Sequence, residues 1–264
     1  DASPNAVNIR RSNPADSLTN ANELVFSVSF SESVQNVGAA DFSVSGAGAT
    51  GATISSVAGS GSSYTVTVDV DDAGSGEVNL NIAAVTGIQD LTANNLSSVT
   101  PTGDDQTYSL DNSLPTVAIQ NVPSVSNAAF TATFEFSETV TGFVVGDINL
   151  GNAAASNFIA VDGNTYTALI TPSAAAVTID VAGNVATDAA NNSNTAATQA
   201  RSVYDTAAPM VVIQNVPTNS NAAFTATFEF SESVTGFAIG DISVANATLS
   251  NFSVVDGNTY TALI

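Results

Sequence analysis

The chain has no cysteine, histidine, lysine or tryptophan, and a single methionine in 264 residues. Without cysteine no disulfide can brace a small domain and no thiolate can hold a metal. Without histidine or cysteine the usual nucleophile–base pairs are missing. Carboxylate pairs remain, but no insertion is long enough to build a cleft around one, so the chain is not expected to be an enzyme. Basic side chains are equally scarce: Arg10, Arg11 and Arg201 stand against 24 acidic residues, a net charge of −21. That balance argues against nucleic acid and anionic membrane surfaces as partners, since both call for basic patches. No apolar run is long enough to cross a bilayer, so no membrane insertion is expected. The start carries no leader and residue 1 is not Met, which points to an excised or mature piece of a longer protein. An acidic excess favours solubility, self-repulsion and cation binding.

What the sequence does contain is a repeated strand. FTATFEFSETV, from Phe130 to Val140, returns as FTATFEFSESV from Phe224 to Val234 and, more loosely, as LVFSVSFSESV from Leu24 to Val34. Phe130, Ala132, Phe134 and Phe136 alternate with Thr131, Thr133, Glu135 and Ser137. Period two describes a strand with one face on a core and one in water. Across residues 115–170 and 209–264, a spacing of 94, 42 of 56 aligned positions are identical. The period marks tandem domains, with boundaries at 1–111, 112–205 and 206–264.

The middle repeat reads as seven strands: Val117–Val122, Phe130–Phe136, Thr141–Leu150 bent near Gly146-Asp147, Ser156–Val161, Thr165–Ile170 stopped by Thr171-Pro172, Val177–Val181, and a last strand ending at Tyr204-Asp205. Seven short alternating strands in under 100 residues predict an all-β, immunoglobulin-like sandwich, repeated in an elongated array. The first repeat fits with longer loops. Its core strands carry Leu24, Phe26, Val28 and Phe30, then Tyr64, Val66 and Val68, then Val78, Leu80 and Ile82; its GAGATGA and AGSGSS stretches read as flexible hairpin ends. The third repeat stops at the counterpart of Ile170. It lacks the sixth and seventh strands, which predicts an open edge and an exposed apolar face. Either the polypeptide continues or a partner supplies those strands.

FEFSE-V-TGF--GDI, the SNF…DGNTYTA hairpin, the D-x-x-NN loop and the D-x-A-P joint together resemble the bacterial Ig-like repeats of giant secreted surface adhesins, the biofilm-associated and RTX-type proteins exported by type I secretion. The likeness covers the second and third repeats and, loosely, the first, where VGAADFSV replaces the TGF and GDI runs. It implies an extracellular location at the bacterial cell surface, a β-sandwich array, and often Ca²⁺ between domains.

Strand alternation also places the carboxylates. The second–third, fourth–fifth and sixth–seventh loops return to the pole where each domain begins. At the one/two joint this gathers Asp111, Glu138, Asp188 and Asn191, with Asp162 at the same pole. The equivalents at the start are Asp1, Glu32, Asp90 and Asn94; at the two/three joint they are Asp205 and Glu232. Loop carboxylates and amides are oxygen ligands of the kind Ca²⁺ takes, and the alternative is that they cap turns and keep the surface soluble. Asp41, Asp147 and Asp241 belong to the far pole and either face the next joint or brace a Gly-Asp turn. Asp69, Asp71 and Asp72 form a further acidic cluster there, either completing the joint or simply solvated. Phe134, Phe136, Phe143 and Tyr166 fall on the inward period and read as core. The expected function is a non-catalytic spacer of an extracellular adhesin, stiffened by Ca²⁺, with neighbouring repeats of the same polypeptide as partners. The alternative is a subunit of an extracellular filament, sheath or surface layer in which identical chains share strands. A carbohydrate-binding module would predict exposed Trp or Tyr, of which the chain has none and five.

Overall fold

The computed structural model describes residues 2–71, 74–100 and 103–264, with residues 7 and 103–105 given by backbone alone. The described residues contain no α-helix, and no helix long and apolar enough to cross a membrane. Strands and short 3₁₀ turns make up the fold, in two compact units, Asp1–Tyr204 and Asp205–Ile264.

The first repeat holds β1 (Ala6–Asn13), β2 (Leu18–Thr19), β3 (Glu23–Gln35), β4 (Phe42–Ser45), β5 (Thr53–Asp69), β6 (Gly76–Ile82), β7 (Gln89–Asp90), β8 (Gly103–Asp105) and β9 (Thr107–Leu110). One sheet runs β5-β3-β1-β8 with β7 also on β3; the other runs β2-β9-β6-β4. Leu24, Phe26 and Val28 of β3 face Val78 and Leu80 of β6, all at most 1% exposed. Strand β5 doubles back within AGSGSS: the Ser55 hydroxyl donates to the Thr67 carbonyl, and the Thr65 hydroxyl to that of Ala58. GAGATGA is a close-packed turn rather than a hairpin end. Gly46 has φ +113°, and a Cβ there would lie 2.1 Å from the Glu77 carbonyl oxygen.

The second repeat holds β10 (Val117–Gln120), β11 (Val125–Ser126), β12 (Phe130–Phe136), β13 (Ile148–Gly151), β14 (Ala153–Ala160), β15 (Thr165–Pro172), β16 (Ala176–Val181) and β17 (Ala200–Tyr204). Its two sheets, β10-β12-β15-β14 and β11-β17-β16-β13, enclose one core. Phe134, Phe136 and Ile170 come from one side, and Val177, Ile179 and Val181 from the other. This is the immunoglobulin-like arrangement. Phe136 packs edge-on against Phe143 and Tyr166, with centroids 5.2 and 5.9 Å away, so these aromatics are core as the alternation predicts.

Several details differ from the predicted strands. The third strand shrinks to Ile148–Gly151, because a 3₁₀ turn at Val145–Asp147 takes its first half. The fourth starts three residues early, and the fifth runs on through Pro172, which pairs with Ala153 two residues past its last β12 partner, where a missing N–H is tolerated. The first ends at Gln120. The two-residue strand β11, parallel to β17, is absent from the sequence reading, as is β2 parallel to β9. Two residues are too few to display a period.

The third repeat is a single sheet, β18 (Val211–Gln214), β19 (Thr225–Phe230), β21 (Thr259–Leu263) and β20 (Ser250–Val254), in the order β18-β19-β21-β20. Residues 242–245, the counterpart of β13, form no strand. In the second repeat β13 is held by β16, and nothing described here takes that place.

Candidate metal centre

Three carboxylates meet at the start of the second repeat. Oxygens of Asp111, Glu138 and Asp188 all lie within 4.8 Å of one another, the one such group among the described residues. Each arrives on a different segment: Asp111 from the linker after β9, Glu138 from the loop after β12, Asp188 from the loop between β16 and β17.

Local chemistry holds each in place. Ser137, which closes β12, exchanges bonds with the linker: its N–H donates to the Thr116 carbonyl at 2.9 Å, and its hydroxyl accepts the Thr116 N–H at 3.0 Å. The same reciprocal pair joins Ser31 to Asn5 and Ser231 to Met210. In the second repeat this delivers Glu138 beside the linker. The far side of the loop is pinned by Tyr166, whose hydroxyl donates to the Val140 carbonyl at 3.1 Å. Tyr64 to Val34 and Tyr260 to Val234 repeat that bond at 3.0 Å. Gly163 completes the support, since a Cβ there would sit 2.9 Å from Thr139.

Asp188 is 5% exposed. Its Oδ1 accepts N–H groups of Ala190 and Asn192, both at 2.8 Å, and its Oδ2 accepts Asn192 Nδ2 at 2.9 Å. Asp111 accepts the Ser113 N–H at 3.0 Å on Oδ1. Burial, and then the charges of Asp188 and Asp111, push the Glu138 carboxyl above its ordinary range. A hard divalent cation would relieve that repulsion, because clustered carboxylate oxygens are its preferred ligands.

The other predicted residues are distributed as follows. Asn191 is exposed with φ +71°, and it is the next residue, Asn192, that points inward at 5% exposure. In the first repeat Asp90 and Asn94 stand four apart, as Asp188 and Asn192 do. Burial alone would raise the Asp90 carboxyl, but bonds from Asn94 and Thr92 together outweigh it and hold it below its ordinary value. Glu32 is half-buried inside β3 rather than on a turn. Asp1 and Asp72 lie outside the described residues. Asp205 accepts the Ala207 N–H at 2.9 Å and Glu232 is half-buried; neither belongs to a group of three carboxylates among the described residues. Asp162 caps its hairpin, accepting N–H groups of Asn164 and Thr165, and those bonds lower its carboxyl. Asp41, Asp147 and Asp241 accept the N–H three residues back, from Gly38, Val144 and Ala238. They brace turns, the second of the two roles weighed from sequence. Asp69 accepts the Asp71 N–H at 3.0 Å.

Comparison with curated proteins finds no match. Among solved structures, the chain is similar to FdeC, described as an Escherichia coli adhesin, at 14% identity and a TM-score of 0.44, covering 99% of this chain and 86% of that one. Two surface-layer SbsC structures give TM-scores of 0.20 and 0.22 at 16% and 13% identity, covering 80% and 99% of this chain. The chain spans 33% and 51% of their lengths. The sequence model of the bacterial Ig-like domain matches residues 111–204 and again 205–264, more than half of the chain. The protein belongs to the bacterial Ig-like domain family.

Proposed function

We propose that the chain is a non-catalytic structural segment of a bacterial cell-surface adhesin. Its first two repeats are stiffened by Ca²⁺ held between Asp111, Glu138 and Asp188. The observation that carries this reading is the convergence of three carboxylates from three segments on one joint. A cation there would cross-link linker, second-repeat core loop and sixth–seventh strand loop. Extracellular sites of this class bind at about 10⁻⁴–10⁻³ M, so millimolar chelator would empty it. Calorimetric titration of Ca²⁺ into the protein and into Glu138→Gln/Asp188→Asn tests the site. Small-angle scattering with and without chelator tests the stiffening, and an unchanged maximum dimension would rule it out.

One observation favours a second reading, assembly through shared strands. Val211, Val212 and Ile213 of β18 are 47–59% exposed, whereas Val117, the counterpart of Val211, is 7% exposed. Regular polymers of native protein in electron micrographs would support it; isolated strings would leave the spacer.

A further inference from the structure

The joint between the first two repeats contains a second set of contacts that needs no cation. Thr19 ends β2 and turns the chain: its hydroxyl accepts the Ala21 N–H at 3.0 Å, and its carbonyl accepts the Asp111 N–H at 2.9 Å. This turn presents Asn20, whose Nδ2 donates to Asn192 Oδ1 at 3.0 Å. Asn192 in turn donates through Nδ2 to the Asp111 carbonyl at 2.8 Å and to Asp188 Oδ2 at 2.9 Å. One buried amide therefore ties the first repeat, the linker and the second repeat's own loop. Only a side chain that both donates and accepts can do this. Aspartate at 192 could not bond the carbonyl, and an aliphatic residue could bond neither.

Both halves of the contact recur along the chain. The turn Thr19-Asn20-Ala21 returns as Ser126-Asn127-Ala128 and Ser220-Asn221-Ala222, where the serine hydroxyls accept the alanine N–H at 3.2 and 3.3 Å. The receiving loop returns as Asp90 to Asn94. Its fourth residue, Ala93, has φ +69°, matching Asn191 at +71°. Asp90 accepts the Asn94 N–H and Nδ2, both at 2.8 Å, as Asp188 does from Asn192. Neither backbone strain nor carboxylate clustering accounts for a matched donor turn and acceptor loop at opposite ends of a repeat.

We propose that Asn20 and Asn192 form a cation-independent latch docking one repeat onto the next. The latch goes beyond the calcium reading and stands without it.

The test uses the full chain in chelator, comparing wild type with Asn20→Ala, Asn192→Ala and the double variant by amide hydrogen exchange. Asn20→Ala touches no group of the second repeat's loop apart from the latch, so it separates docking from loop folding. We expect it to speed exchange of the Asp111 N–H about 3–10-fold, the loss of one ordinary hydrogen bond, with Phe134 and Phe26 unchanged. The double variant is expected to exchange there no faster than Asn192→Ala. An Asp111 N–H unaffected by Asn20→Ala would overturn the latch, and so would an Asp111 N–H already unprotected in wild-type chelated protein. Failure of the calcium site would instead leave these results intact and abolish only the calcium response.

Discussion

Glu138 bears the cost of gathering three carboxylates. Its pKa is raised by burial and by Asp188 and Asp111, so the folded protein binds its proton more tightly than the unfolded chain does. The stabilisation from that proton is present below the unfolded value and is lost as pH rises through the raised one. In chelator, acidification from neutral pH toward the ordinary carboxyl range is expected to stabilise the one/two joint. Glu138→Gln should remove that dependence and already raise the melting temperature at neutral pH. Asp90 and Asp162 are shifted down, so their stabilisation is lost only at lower pH, as it falls through their folded values. The windows do not overlap. Thermal melts at stepped pH read both, and a melting temperature that falls steadily from neutral pH downward would contradict the assignment. In calcium the sign reverses for Glu138, because protonation releases the cation.

At the scale of elements, the site depends on strands that carry none of its oxygens. Strand β15 supplies Tyr166, whose hydroxyl fixes the loop bearing Glu138. Tyr166→Phe leaves the Val140 carbonyl without that donor, at about 1–3 kcal/mol for a buried group. It is expected to weaken calcium binding while the ring keeps its packing, as titration against the wild type would show; unchanged affinity would mean the loop is fixed by Gly163 and Ser137 alone. In the first repeat, β6 lies so close to the turn before β5 that Gly46→Ala adds a Cβ where the Glu77 carbonyl stands. With φ at +113° as well, the substitution is expected to cost about 1–3 kcal/mol. It should lower the first repeat's unfolding temperature and spare the second, as domain-resolved hydrogen exchange would report.

At the scale of the whole molecule, near-identical sequences experience different surroundings. Phe136 is 1% exposed beneath its second sheet, whereas its counterpart Phe230 is only partly buried in a single sheet. Exposed apolar side chains forgo about 1.5–3 kcal/mol each, a large share of the ~5–15 kcal/mol that holds a domain together. Amides of Phe228 and Phe230 are therefore expected to exchange orders of magnitude faster than those of Phe134 and Phe136. Equal protection in monomeric protein would mean that one four-stranded sheet suffices; protection appearing only in an oligomer would favour strand sharing. Chelation should leave the cores of the first two repeats folded, since alternating apolar strand residues and not the carboxylates build them.

Period-two alternation alone places the strand Phe130–Phe136 and its copies, because the pattern is legible without any coordinates. Strand order likewise sets which pole receives Asp111, Glu138 and Asp188, because alternating strands return their loops to fixed ends. The tertiary structure alone decided that those three oxygens approach within 4.8 Å while Glu32 stays inside β3, since loop lengths and the Ser137 and Tyr166 bonds set that distance. It also decided between neighbouring asparagines. Asn191 takes the left-handed turn and Asn192 the buried latch, a choice made by the Asp188 carboxylate folding the loop around itself, which residue type alone does not encode. The parallel pairings of β2 with β9 and β11 with β17 arose only in three dimensions, where two-residue segments find partners about 80–90 residues away.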